Sequence, residues 1–227
     1  MSPKFSVSLM CMDYLHIEEQ ILALNEETDM YHADLMDGHY CKNITMSPDL
    51  IAAITSVAKK PIDAHLMCTN PNDWIEPLAK AGVTTICPHA ETINVDAFRT
   101  INRIHDLGCK AGVVVNPATP LSYISQYIDR LDMVTIMTVD VGYAGQKFIS
   151  EMLSKITELK KMKEERGLKF DIQVDGSCNN KTFKQLYDAG TEIFILGSSG
   201  LFNRDKDIHK AFSLMREDFS KCTGVSF

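Results

Sequence analysis

Met30-Tyr31-His32-Ala33-Asp34-Leu35-Met36-Asp37-Gly38 is an apolar run in which His32 and Asp34 stand two residues apart. On a β-strand, residues two apart share a face, so His32, Asp34 and Met36 point the same way. Imidazole and carboxylate converging at a strand end suit a divalent metal or a proton transfer. A polar strand end with a turn at Asp37-Gly38 would need the same residues, so the rest of the chain has to decide. Asp37 falls off the shared face and is read as supporting it from behind.

Working outward, similar short apolar runs recur: Phe5–Met10, Ile62–Met67, Thr85–Cys87, Lys110–Val115, Met133–Thr138, Phe170–Val174 and Ile193–Leu196. Most lack polar alternation, as expected of strands buried on both faces of a parallel sheet. Between them lie segments with helical spacing, such as Ile156, Leu159 and Met162, or Phe183, Leu186 and Tyr187. Gly82, Gly108, Gly167 and Gly190 each end such a segment just before a strand, where a left-handed residue closes a helix. Eight strand candidates, each followed by a helical segment, imply parallel strands with right-handed crossovers. In 227 residues this predicts a closed TIM-type (β/α)8 barrel, with an open doubly wound sheet as the alternative. No linker, charge block or low-complexity segment divides the chain, so residues 1–227 are read as one domain.

Composition narrows the function. A hydrophobic fraction of 45% and a charged fraction of 23% suit a soluble globular protein. The formal net charge of −7 argues against nucleic acid or an anionic membrane as the main partner. It leaves room for a phosphorylated small molecule, which backbone amides can bind. The seven cysteines contain no C-x-x-C and do not suggest a disulfide framework. The start, MSPKFSVSLMCMD, does not read as a signal peptide, and no apolar run approaches the roughly 18 residues of a membrane helix. The expected location is the cytoplasm.

In such a barrel the chemistry sits where strands run into the loops that follow them. The first run offers Ser8, and the second gives His32 and Asp34. Asp63, His65 and Met67 share a face of the third, and the seventh ends in Val174-Asp175-Gly176-Ser177. Closure would bring His32, Asp34, His65 and Asp175 to one rim, a plausible set of donors for Zn²⁺, Mn²⁺, Fe²⁺ or Co²⁺, with Mg²⁺ the weaker match. Asp63 lies deeper and is read as supporting or structural. Cys87, His89 and Glu91 also have a spacing open to a metal, but no fourth ligand is near. They are read as a structural or substrate-facing loop. Gly142-Tyr143-Ala144-Gly145, Gly176-Ser177 and Gly197-Ser198-Ser199-Gly200 follow the sixth, seventh and eighth runs, where many barrels bind phosphate. Met36, Met67 and Met137, with Met10, stand at the rim ends of strands and suit an apolar cover over reacting carbons. A metal beside two carboxylates, facing a phosphate anchor, suits proton transfer next to a carbonyl, with Lewis acidity stabilising an enediolate. Asp34 and Asp175 come from separated strands and could address opposite faces, one removing a proton and the other returning it.

HADLMDGHY, DAHLM, VDVGYAGQKF, VDGSCN and LGSSGLF occur in order over nearly the whole chain and resemble the ribulose-phosphate 3-epimerase family of TIM barrels. Within it, SLMCMD, VDGSCN and GSSGLFN are most similar to the D-allulose-6-phosphate branch. The resemblance implies a metal held by His32, Asp34, His65 and Asp175, with Asp34 as proton acceptor and Asp175 as donor. It implies substrate contacts from Ser8, His65, Gly142, Tyr143, Ala144 and Gly145. Gly176, Ser177, Gly197, Ser198 and Ser199 would take the phosphate end, and Met36, Met67 and Met137 would form the cap. Val141 stands where the family usually has proline, and Tyr40-Cys41-Lys42 replaces Phe-Val-Pro. Ala144 in place of glycine agrees with the allulose-phosphate branch.

The expected reaction is 3-epimerisation of a ketose phosphate, D-allulose 6-phosphate to D-fructose 6-phosphate. The alternative is D-ribulose 5-phosphate to D-xylulose 5-phosphate. A related barrel decarboxylase would need D-x-K-x-x-D, but Met36 stands two residues after Asp34. An inactive metal- and phosphosugar-binding protein would not need both Asp34 and Asp175. The family implies a homo-oligomer, dimer or hexamer.

Overall fold

The apolar runs become strands that are covered on both sides. In the computed structural model, which describes residues 2–227, the strands are β1 (Lys4–Ser8), β2 (Met30–Met36), β3 (Ile62–Met67), β4 (Thr85–Pro88), β5 (Lys110–Val115), β6 (Met133–Met137), β7 (Asp171–Asp175) and β8 (Ile193–Leu196). They pair in chain order, all in parallel, and β8 returns to β1, so the sheet closes as an eight-stranded barrel. Every residue of β2 and β3 is buried, which explains why neither shows polar alternation against solvent.

Among the described residues, seven α-helices surround the barrel: α1 (Ile17–Leu24), α2 (Pro48–Thr55), α3 (Ile75–Lys80), α4 (Ala97–Asp106), α5 (Met152–Arg166), α6 (Phe183–Ala189) and α7 (Ile208–Thr223). Their starts follow local chemistry. Ser47 accepts a hydrogen bond from the Leu50 amide with Pro48 in the first turn of α2, and Asp207 accepts from the His209 and Lys210 amides at the start of α7. The four glycines expected to close helical segments all have positive φ, from 63° at Gly167 to 114° at Gly190.

Two expectations need correction. The first strand ends at Ser8 and not at Met10, because Leu9–Cys11 turns as a 3₁₀ helix. This carries Met10 and Cys11 over the barrel mouth. The segment after β5 holds no α-helix, only 3₁₀ turns at Leu121–Tyr123 and Ile128–Arg130. Pro117 and Pro120 interrupt it, and Ser122, Tyr123, Ser125 and Tyr127 are indifferent helix formers. Lys155 of α5 reaches across and donates to the carbonyls of Asn116, Pro117 and Thr119 at 2.9, 2.7 and 2.7 Å. These bonds pin the start of a segment whose own backbone hydrogen bonds are short-range 3₁₀ bonds, such as Ile124 N to Leu121 O at 3.1 Å.

The core has two parts, as a filled barrel requires. One lies between strands and helices, and the other fills the barrel with Met30, Cys87, Val114, Met133, Met137, Val139 and Ile193. At the β8–β1 closure the outer core is aromatic. Phe219 of α7 lies 5.1 Å from each of Phe5, Phe183 and Phe194, centroid to centroid, in edge-on or tilted contacts.

Candidate active site

Strand register sets the site. Asp34 of β2 lies beside His65 of β3, and His32 lies beside Asp63 one step lower. Met36 is level with Met67, and Met137 of β6 is level with Asp175 of β7. Because side chains alternate across a strand, these pairs enter the barrel in successive layers.

The lower layer is polar and closed. His32 Nδ1 and Asp63 Oδ2 are 2.5 Å apart, and Asp63 Oδ1 accepts from Gln173 Nε2 at 3.3 Å and from Ser6 Oγ at 3.5 Å. Gln173 Oε1 in turn accepts from Thr135 Oγ1 at 2.6 Å. In its neutral form, with Nδ1 donating to Asp63, His32 presents a lone pair on Nε2. That atom is buried without a hydrogen-bond partner, 3.3 Å from Asp34 Oδ1 and 4.0 Å from Asp175 Oδ2. His65 Nδ1 lies 3.2 Å from Asp34 Oδ1 and 3.7 Å from Asp175 Oδ2. One donor atom from each of His32, Asp34, His65 and Asp175 thus falls within 4.8 Å of all the others. The spacing and the mixed nitrogen and oxygen donors suit one divalent ion at bond lengths of about 2.0–2.2 Å. The orphaned Nε2 of His32 points to the same conclusion, since a buried lone pair without a partner is costly.

Electrostatics separate the two carboxylates. Burial opposes charge on both. At Asp34 the His32 and His65 imidazoles outweigh it and hold the carboxyl below the usual carboxylate range. Ser8 Oγ also donates to Asp34 Oδ2 at 3.2 Å. At Asp175 burial prevails, helped by repulsion from Asp34, and its pKa is raised. For His32 burial is again opposed, here by the Asp63 and Asp34 carboxylates, which push its pKa well above the ordinary imidazole value. Two carboxyl groups with pKa values pushed apart form the pattern of an acid and a base working together.

A cavity opens above the cluster. Asp34 and Asp175 lie in its wall with Ser8, with Met36, Met67 and Met137, with the loop from Gly142 to Gly145, and with Gly176, Ser177, Gly197, Ser198 and Ser199. The residues expected to meet sugar and phosphate therefore lie around one space. The exception is His65, which is fully buried beside Asp34 and does not reach the wall. Met36 and Met67 pack with Cys41, Met10, Tyr40 and Val141, whereas Met137 belongs to the residues that fill the barrel.

The loops are held by polar side chains. Asn43 Nδ2 donates to Gly142 O at 2.8 Å, and Gln146 Nε2 donates to Tyr143 O at 3.0 Å. Ser177 has a φ of 51°, a left-handed conformation uncommon for serine, and its Oγ donates to Gln146 O at 2.6 Å. Before it, Gly176 has a φ of 116°, and a Cβ there would stand 2.8 Å from Val139 and 2.9 Å from Thr138 Oγ1.

Several residues had no distinguishing signal in the sequence. Cys11, Asp140, Gln146 and Ile195 also line the cavity. Gln173 and Thr135 sit inside strands, where their pairing with Asp63 depends on register alone. Asp37 does not support the cluster. It accepts from the His39 and Tyr40 amides, both at 2.8 Å, and from Thr69 N and Oγ1 at 2.7 and 2.9 Å, joining the loops after β2 and β3. Cys87 parts from His89 and Glu91. Its thiol faces the barrel filling, while His89 and Glu91 lie behind His65 and outside the cavity wall.

A closed parallel barrel with two carboxyl groups and two imidazoles gathered at its mouth places the chain in the (β/α)8 class. Residues 4–202 match the ribulose-phosphate 3-epimerase family. The chain is 39% identical over 215 residues to the ribulose-phosphate 3-epimerase of Bacillus subtilis, covering 94% of this chain and 98% of that one. It is also 39% identical over 198 residues to the Synechocystis ribulose-phosphate 3-epimerase, covering 86% of each. Among solved structures, KGPDC from Streptococcus mutans superposes with a TM-score of 0.71 at 15% identity, over 98% of this chain and 99% of that one, a likeness of fold. The chain belongs to the ribulose-phosphate 3-epimerase family, and is an isomerase that epimerises ketose phosphates at C3.

Proposed function

We propose that Asp34 and Asp175 are the two acid–base groups of this reaction and that D-ribulose 5-phosphate, converted to D-xylulose 5-phosphate, is the substrate. The observation that carries the assignment is the pair of carboxyl groups beside two imidazoles in the wall of one cavity. The names of the two curated relatives support the ribulose-phosphate reading. SLMCMD, GSSGLFN and Ala144 favour D-allulose 6-phosphate as a second reading.

Asp34, ionised, takes the C3 proton from one face of the bound ketose. Asp175, from β7, returns a proton to the opposite face and inverts the centre. Ser8 steadies Asp34 through its hydrogen bond. The loops at Gly142–Gly145, Gly176–Ser177 and Gly197–Ser199 hold the sugar and its phosphate, and Met36, Met67 and Met137 shield the reacting carbons from water. His32, Asp34, His65 and Asp175 would hold a divalent ion, Zn²⁺, Mn²⁺, Fe²⁺ or Co²⁺ in preference to Mg²⁺. Such an ion supplies Lewis acidity toward the negative charge that develops on the substrate oxygens as C3 loses its proton. The enzyme works as a homo-oligomer in a reducing compartment, the cytoplasm. All seven cysteines are free thiols, and no helix among the described residues is long and apolar enough to cross a membrane.

Comparing kcat/KM for D-ribulose 5-phosphate and D-allulose 6-phosphate, with metal removed and restored, tests both parts. A preference for the five-carbon sugar is expected. A tenfold or greater preference for the six-carbon sugar would replace the first reading with the second. Full activity in protein shown to be metal-free would sink the role of the ion.

A further inference from the structure

Behind the four-residue cluster, a second line of polar groups runs away from His65 and takes no part in the chemistry above. His65 turns Nδ1 toward Asp34 and Asp175, and its other nitrogen, Nε2, lies 2.8 Å from Nε2 of His89. Two ring nitrogens at that distance share one proton. One must donate and the other must accept. If His65 offers the lone pair of Nδ1 to an ion, its proton is on Nε2, which makes His65 the donor and His89 the acceptor. The proton of His89 is then on Nδ1, 3.5 Å from Glu91 Oε2. The carboxylate of Glu91 is anchored from its far side by the hydroxyl of Thr119, which donates to Oε1.

The surroundings allow few alternatives. His89 is fully buried, with its ring 4.8 Å from that of Tyr40 and 4.9 Å from that of His65. Its Nδ1 and the facing Oε2 of Glu91 are both buried without a hydrogen-bond partner. The two atoms face each other across 3.5 Å.

We propose that His89 and Glu91 are positioning residues that hold His65 in the tautomer presenting Nδ1 to the metal. The proposal rests on the reading of His65 as a ligand. On this view the Cys87–Glu91 segment is not a metal site of its own. Two of its side chains orient a ligand of the site next door, as Asp63 does for His32. Hydrogen-bonded partners of metal-bound histidines characteristically fix ring orientation and raise ligand basicity, and losing them costs about 10–100-fold in metal affinity or activity.

The test uses the zinc-loaded enzyme. Zn²⁺ affinity is measured by competition with a chromophoric chelator, and the imidazole ¹⁵N spectrum reports the tautomer of His65. In the parent enzyme the spectrum should show a protonated Nε2 and a metal-shifted Nδ1. His89→Leu should weaken Zn²⁺ about 10–100-fold. His89→Gln, whose amide oxygen can accept from His65 Nε2, should recover most of that loss, which a general loss of packing would not allow. Glu91→Ala should weaken binding less than His89→Leu does and perturb the His65 resonances. Unchanged affinity in a folded His89→Leu protein would overturn the proposal, as would a His65 tautomer protonated at Nδ1. If His89→Leu fails to fold, His89→Gln and Glu91→Ala decide. A His89→Gln protein that binds Zn²⁺ a hundredfold more weakly, or a Glu91→Ala protein with unaltered affinity and spectrum, then overturns it. His65→Ala separates the two levels. If that variant binds Zn²⁺ as the parent does, the reading of His65 as a ligand fails and takes this proposal with it.

Discussion

Asp34 and Asp175 have the same side chain, and their surroundings give them different character. Asp34 is nearly enclosed, beside two imidazoles and a serine hydroxyl, whereas Asp175 retains 21% side-chain exposure and gains no comparable compensation. The two-base assignment predicts that Asp175→Asn, which keeps the shape and removes the titratable proton, lowers epimerisation by about 10²–10⁴-fold. Circular dichroism should show an unchanged fold. Near-full activity in the folded variant would end the assignment. At this scale the sequence was informative where position along a strand was enough. His32, Asp34, His65 and Asp175 are strand-end residues, and the structure brings their donor atoms together. Gln173 and Thr135 are also polar residues on apolar strands. Their partners, Asp63 and each other, lie on strands distant in sequence or reached only through register, and nothing local identifies them.

Among the elements, the loop after β2 depends on a carboxylate with no part in the chemistry. Burial would raise the pKa of Asp37, but hydrogen bonds from Thr69, Tyr40 and His39 outweigh it and hold the group well below the usual carboxylate value. A carboxylate whose pKa is lower folded than unfolded contributes stability that is fully present above its unfolded pKa, about 3.9. That contribution is lost as pH falls toward the folded value. Asp37→Ala, which removes these hydrogen bonds from a partly exposed and screened carboxylate, should cost about 1 kcal/mol at neutral pH. The gap between parent and variant should narrow in denaturant titrations carried down from pH 5 to pH 3. A gap independent of pH across that window would show that the charge of Asp37 is not what holds the loop. The segment after β5, two 3₁₀ turns in place of an α-helix, depends on distant partners too. Its prolines are visible in the sequence, but the three hydrogen bonds from Lys155 that pin its start come from α5, beyond the next strand.

For the whole molecule, closure is the decisive event, and its seam is aromatic. Phe219 is fully buried and meets Phe5, Phe183 and Phe194 where β8 returns to β1. Phe219→Ala removes that packing and should lower unfolding stability by about 3–5 kcal/mol, measured by denaturant titration. A loss under about 1 kcal/mol would mean that the seam is held elsewhere. Because the site draws Asp34 from β2 and Asp175 from β7, loosening this seam should also weaken substrate binding, although Phe219 touches no part of the cavity.

The order and identity of the strands, the closing glycines of four helical segments and the residues at strand ends were all legible along the chain. All of these follow from short-range periodicity and from the backbone preferences of single residues. Counting eight strands pointed toward a barrel. Only the tertiary structure decided that the sheet closes, because closure depends on pairing between β1 and β8, at opposite ends of the chain. The same long-range register decided what each polar residue faces. It placed Asp63 behind His32, turned Asp37 away to tie two loops, and sent Cys87 into the barrel filling. It also set His89 against His65, giving a segment that looked like a metal site of its own a place behind the one that closure assembles.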